Sequence, residues 1–182
     1  DAAYPRFAAA CARDETMASG FAAWCAAREW LAGYTLFTAI RELRGALPWY
    51  PWEPALRGRG PAPLAHAAAG LAPRIAALRF GQYAFAQQGT ALRQYACAHG
   101  VSLFGDMPIF VAHDSADVWS ARELFLLDAE GHPLTVAGVP PDYFSADGQR
   151  WGNPHYAWDV MARDGFAWWR RRIASQRERF DL

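Results

Sequence analysis

The chain has 182 residues, 53% hydrophobic and 20% charged, which is long enough for one compact domain with a core and too apolar for a disordered segment. Eighteen basic residues balance eighteen acidic ones, which argues against a polyanion binder, so no nucleic-acid partner is expected and a neutral partner such as a sugar fits better. No run of about 18 apolar residues occurs, so neither a membrane span nor a membrane partner is expected.

The first hundred residues read as helical. From about Thr16 to Arg44 the apolar positions Phe21, Trp24, Ala27, Leu31, Tyr34 and Phe37 follow helical spacing, with Gly33 marking a kink or close contact. The proline-dense PWYPWEP then forces an extended or turn segment. A second helix is expected over residues 72–98, with Ile75, Leu78, Phe85, Leu92 and Tyr95 on one side. At Gly100 the character changes: VSLFGDMPIFV reads as a buried strand ending near Asp106, and helix, glycine, buried strand is the grammar of an α/β fold. Residues 124–137 suggest a hairpin turning at Asp128–Pro133, followed by GVPPDYFSADGQRWGNPHY, a loop of about twenty residues. Its four rings, Tyr143, Phe144, Trp151 and Tyr156, make disorder the poorer reading. Asp164 can cap a last helix with Phe166, Trp169, Ile173 and Phe180 as its stripe. Arg170, Arg171, Arg172, Arg177 and Arg179 then form a solvated face. The closing FDL resembles the start of another strand.

Few residues can carry chemistry. Asp106 stands at the end of the expected strand, where it either serves an active-site face or caps a loop. Asp114 or Ser115 suits a helix N-cap, and His113 has no second histidine at ligand spacing. The aromatic loop combines Asp142, Asp147, Gln149 and Asn153 with stacking rings, a mixture that reads sugar hydroxyls and C–H faces, although it also suits a well-packed Ω-loop. Cys11, Cys25 and Cys97 lack paired or zinc spacing and imply free thiols in a reducing compartment, the cytoplasm by default. No metal and no cofactor are expected, and no other catalytic signature is present.

Two stretches, GVSLFGDMPIFVAHDSADVW and ELFLLDAEGHPLTVAGVPPDYFSADGQRWGNPHYAW, closely resemble the amylomaltases, also called 4-alpha-glucanotransferases or disproportionating enzymes. The likeness is specific over residues 101–158 and looser through WLAGYTLFTAI and PWYPWEPALR. It implies an α/β fold: part of a (β/α)8 barrel with a helix-rich insertion, residues 1–100 forming the helical part and residues 101–182 a barrel segment that starts at the third strand. It implies transfer of α-1,4-glucan segments between maltooligosaccharides by a retaining mechanism, with two carboxylates about 5 Å apart. By the same resemblance Asp106 lies near the −1 glucose. Asp142, Tyr143 and Phe144 belong to a loop over the cleft, Trp151 is a nearby aromatic, and Asn153 with Pro154 completes the motif.

The resemblance also places the nucleophile and the general acid beyond Leu182, so no catalytic residue is expected in this chain and the piece alone is expected to be inactive. The start at Asp1 without methionine and the ending at FDL fit an internal fragment. Uncovered apolar faces would let such a fragment self-associate. The alternative is a non-catalytic carbohydrate-binding or interaction module; a glucose-releasing hydrolase is a third reading.

Overall fold

The computed structural model describes residues 3–181. They form two compact units: residues up to Ala46 together with Pro61–Ser102, and Leu47–Gly60 together with Leu103 onward. The first unit is entirely helical among its described residues: α1 (Ala3–Cys11), α2 (Glu15–Ala26), α3 (Glu29–Leu43), α5 (Pro61–Gly70) and α6 (Ala72–Ala98). The second contains α4 (Pro54–Arg57), α7 (Ala116–Ser120), a 3-10 turn at Arg122–Leu124, strands β1 (Val136–Val139) and β2 (Gln149–Pro154), α8 (Trp158–Ala162) and α9 (Ala167–Arg179).

The expected helix over Thr16–Arg44 is two helices, broken at Ala27–Arg28 rather than bent at Gly33. Asp14 starts α2 by accepting the Met17 N–H at 3.0 Å. At the break the Arg28 guanidinium donates to the Trp24 carbonyl at 3.0 Å and lies 4.1 Å from the centre of the Trp24 ring. Gly33 lies within an uninterrupted α3, whose buried residues are Leu31, Thr35, Phe37, Ala39 and Ile40. The buried Thr35 hydroxyl donates to the Leu31 carbonyl at 2.8 Å, so α3 satisfies its own polar group.

Helix α6 has the expected bounds, but its inward stripe differs. Phe80 and Tyr83 join Phe7, Phe21 and Trp24 in an aromatic cluster, with Phe7 and Phe80 stacked 4.6 Å apart and Phe21 meeting Tyr83 edge-on at 5.3 Å. Phe85 is two residues beyond Tyr83, about 200° further round the helix, and is 63% exposed. Leu92 and Tyr95, also expected inside, are exposed as well. On the surface of this unit Arg74 and Glu42 form a bidentate pair at 2.6 and 2.7 Å, and the hydrogen bond to Arg74 holds the Glu42 carboxyl below its ordinary range.

In the second unit PWYPWEP is a core element as well as a break. Trp49 and Trp52 are fully buried; the Trp52 indole meets Trp119 at 5.6 Å, and the Trp119 N–H donates to the Leu56 carbonyl at 3.1 Å. His113 is fixed as well, stacked on Tyr50 at 4.6 Å with Nε2 hydrogen-bonded to the Gly131 carbonyl at 2.7 Å. Ser115 caps α7 by accepting the Val118 N–H, while Asp114 accepts the Trp49 N–H at 3.3 Å. The turn at Asp128–Pro133 forms as expected: Leu127 bridges Pro133, and backbone N–H groups donating to the Asp128 carboxylate hold its pKa low.

The buried strand expected at 101–106 is absent; these residues join no sheet. Val101 and Phe104 are 54% and 78% exposed, while Leu103 is half-buried. Leu103 nonetheless takes part in two hydrogen bonds with Asp181, its carbonyl accepting the Asp181 N–H and its own N–H donating to the Asp181 carboxylate, both at 2.9 Å. Of the strand expected at Phe180–Leu182, Phe180 is extended (φ −127°, ψ 157°), and Leu182 lies outside the described residues. The Phe180 ring fills the space that a side chain at Gly105 would need.

Candidate functional site

The long loop expected from Gly138 onward is a β-hairpin. β1 and β2 pair antiparallel, with Gly138 opposite Arg150 and Val139 opposite Gln149, leaving residues 140–148 as the tip. The sequence conceals this pairing because both strands are short and each is interrupted by a glycine, which weakens any alternating pattern.

The tip is pinned from within. Asp142 Oδ1 accepts the N–H groups of Phe144 and Ser145 at 2.9 and 2.8 Å, the Asp142 N–H donates to the Ser145 carbonyl, and Ser145 Oγ donates to the Gly148 carbonyl at 2.7 Å. Gly148 has φ +71°, and a Cβ there would lie 2.5 Å from the Val139 carbonyl oxygen. Gly148→Ala in the full-length protein is expected to destabilise the tip by about 2 kcal/mol. The readout is faster amide exchange over residues 142–148 with α3 unaffected; an unchanged tip would contradict this account of the turn.

An ordered turn that turns two large rings outward is unusual. Tyr143 is 97% exposed and Phe144 90%, and they meet edge-on at 5.5 Å. Exposed aromatic surface on a fixed support marks a binding surface more often than a packing fault. Gln149 and Trp151 share one face of β2, and beyond them the alternation breaks at Gly152 (φ +79°), where the register is irregular. The Trp151 N–H donates to Gln149 Oε1 at 3.0 Å, leaving the indole half-exposed, with its ring 6.4 Å from Phe110. Asn153 Nδ2 donates to the Val111 carbonyl at 2.8 Å, and Pro154 is buried at the base.

Asp106 is exposed and has no hydrogen bond or ion pair among the described residues. The structure thus joins Trp151, Asn153 and the residues just after Asp106 in one network, and sets Tyr143 and Phe144 at the far end of the same hairpin. In Asp142, Oδ1 is engaged in building the turn.

Sequence reasoning overlooked Phe110, which stacks on Tyr156 at 6.0 Å, and misread Arg172. Arg172 is not on a solvated face. Its side chain is 18% exposed and its guanidinium lies 5.2 Å from the Trp168 ring centre. Asp164 does accept the Ala167 N–H at the start of α9, but Phe166 and Ile173, expected in the inward stripe, are substantially exposed. A separate open cleft of about 510 Å³ is lined by Gly58, Arg59, Ser120, Arg122, Phe125 and Asp128, and none of the site residues named from the sequence lines it.

No helix among the described residues is long and apolar enough to cross a membrane, and no group of three His, Cys, Asp or Glu among them is placed to hold a metal ion. What remains is a helix-rich protein with a small two-stranded sheet whose hairpin tip carries two exposed aromatic rings.

Comparison with known proteins is consistent with that class. The sequence profile described as 4-alpha-glucanotransferase matches residues 1–182, and the chain belongs to this family. It is 51% identical to the 4-alpha-glucanotransferase of Thermus thermophilus over 153 residues, covering 84% of this chain and 31% of that protein. It is 42% identical to the Synechocystis enzyme of the same name over 164 residues, 89% of this chain and 32% of the relative. Among solved structures, amylomaltase from Streptococcus agalactiae in complex with acarbose superposes with a TM-score of 0.88 at 37% identity, covering 93% of this chain and 34% of that one. The chain therefore spans about a third of the length of the relatives it matches.

Proposed function

We propose that these residues serve an enzyme that transfers α-1,4-glucan segments from a maltooligosaccharide donor to the 4-hydroxyl of an acceptor sugar. The observation that carries this reading is the pinned hairpin tip that presents Tyr143 and Phe144 to solvent with Trp151 half-exposed on the same hairpin, in a chain of the 4-alpha-glucanotransferase family. The solved relative in complex with acarbose supports a sugar-like ligand for the family.

The reaction needs a carboxylate to attack the anomeric carbon and a second to protonate the leaving oxygen; a sugar hydroxyl then takes the place of water. Both carboxylates are supplied from outside these 182 residues, consistent with a chain that covers a third of its relatives, and the piece alone is inactive and prone to self-association. Within the chain, Asp106 holds hydroxyls of the glucose at the cleaved bond. Tyr143 and Phe144, set by Asp142, cover the donor chain and exclude water, while Trp151, with Asn153 and Pro154 behind it, stacks beside them. The paired Leu103 and Asp181 support neighbouring strands of a (β/α)8 barrel, with the first unit as its helical insertion. Three free cysteines support a cytoplasmic location.

The test is disproportionation of maltotriose by the full-length protein and by its Tyr143→Ala/Phe144→Ala variant. The full-length protein is expected to yield glucose and longer maltodextrins. The variant is expected to lose roughly tenfold in transfer, with free glucose rising relative to longer products. Glucose and maltose without longer products would make the protein a hydrolase, and binding without turnover would make it a carbohydrate-binding module.

A further inference from the structure

Residues 108–111, which follow Asp106, belong to no helix or strand, yet three of their carbonyls are held by side chains from elsewhere. The Pro108 carbonyl accepts from the Arg172 guanidinium at 3.2 Å, the Ile109 carbonyl from the Tyr156 hydroxyl at 2.9 Å, and the Val111 carbonyl from Asn153 Nδ2 at 2.8 Å. One donor comes from α9, one from just beyond β2, and one from β2 itself. Side chains thus take over the role that ladder partners play in a strand, and each fixes a backbone group that would otherwise be free to reorient.

Each donor is itself constrained. Arg172 lies over Trp168 and Trp169 with ring-centre distances of 5.2 and 5.9 Å, and its NH1 is 3.9 Å from an Asp117 carboxylate oxygen. Its Nε is buried without a partner among the described residues, a cost that the aromatic packing and the Pro108 bond must offset. The Tyr156 ring is enclosed by Phe110, Phe125, Trp158 and Trp169. Burial raises the pKa of its phenol above the ordinary value, so the hydroxyl keeps its proton and remains a donor at neutral pH. Asn153 shares β2 with Trp151, and the other end of that strand enters the tip bearing Tyr143 and Phe144.

We infer that Arg172, Tyr156 and Asn153 are positioning residues that tie the Asp106–Val111 segment to the aromatic hairpin, so that Asp106 and the exposed rings address one glucan in a fixed register. This rests on the glucan-transfer reading above. It assigns Asn153 a role through its backbone partner rather than through the sugar. It also explains why an arginine on a helix of largely exposed arginines turns inward. A misplacement of about 1 Å at a reacting centre costs on the order of a hundredfold, so loss of one anchor should be visible in turnover.

The experiment is a double-mutant cycle in the full-length protein, with Tyr156→Phe, which keeps the ring and deletes the hydroxyl, measured alone and in an Asp106→Asn background. The expected result is a tenfold or greater fall in kcat/KM for maltotriose disproportionation in the parent background, and less than a twofold fall when Asp106 is already replaced. Asn153→Ala and Arg172→Met should behave in the same way, with Arg172→Lys recovering part of the loss. A Tyr156→Phe effect of equal size in both backgrounds, or activity within twofold of the parent for both Tyr156→Phe and Asn153→Ala, would overturn the inference. Chymotryptic cleavage at Phe110 reads the anchoring without any sugar and should quicken in each variant while sites in α3 stay unchanged. A parent that turns over no glucan but whose variants show this faster cleavage would sink the glucan reading and leave the anchoring intact; an unchanged cleavage rate would remove the anchoring itself.

Discussion

Asp106→Asn in the full-length protein is expected to lower maltotriose disproportionation by about a hundredfold or more while leaving thermal stability almost unchanged. The two halves have separate causes. Asp106 is exposed and has no partner among the described residues, so replacing its carboxylate removes no intramolecular contact, and surface changes of that kind usually move stability by no more than about 0.5 kcal/mol. A carboxylate that accepts hydroxyl hydrogen bonds at the reacting sugar acts instead in a water-poor site once substrate is bound. Losing such a charged acceptor costs about 2–4 kcal/mol of transition-state binding. Steady-state kinetics beside a thermal melt separates the two. Activity within threefold of the parent would remove Asp106 from sugar binding, and a large loss of stability would mean that the carboxylate has a structural duty.

The second large effect is on stability. Trp49→Ala is expected to destabilise the second unit by about 3–5 kcal/mol, read by urea titration of the full-length protein. Trp49 is 0% exposed; its indole N–H donates to the His113 carbonyl at 2.7 Å and its backbone N–H to Asp114 at 3.3 Å. Its ring also fills the space beside Gly131, where φ is +91° and a side chain would collide with it. Truncation therefore opens a cavity and removes one of the two donors to the His113 carbonyl, which keeps the Ser115 N–H at 3.0 Å. Trp49→Phe should cost less, because the ring volume is largely kept and only the N–H bond is lost. A difference under 1 kcal/mol for the alanine variant would show that the segment 47–60 is not an anchor of this unit.

These contrasts locate what could be read in the residues. Helix α6 was legible to its ends because Gly70 and Gly100 flank a long stretch of good helix formers. Ser115 was legible as one of two cap candidates, and the turn at Asp128–Pro133 from its Asp, Gly and Pro. The family was legible in the order and spacing of motifs over residues 101–158, and the matched profile agrees with it. The break at Ala27–Arg28 was not, because it depends on an arginine folding back over Trp24, and no propensity distinguishes that from a continuing helix.

The sequence by itself determined the family, the long α6 helix and the clustering of rings with amides after Val139, since these depend on local composition and motif order. Only the tertiary structure decided that VAGV and QRWGNP pair as a hairpin. The same holds for Arg172 turning inward, and for residues 101–111 joining no ladder while Pro108, Ile109 and Val111 are fastened by side chains. Each of those outcomes turns on which distant group supplies a hydrogen-bond partner or a covering ring: Leu103 with Asp181 is 78 positions apart, Pro108 with Arg172 64. Local pattern fixes what a residue can bond to, and long-range packing selects the partner.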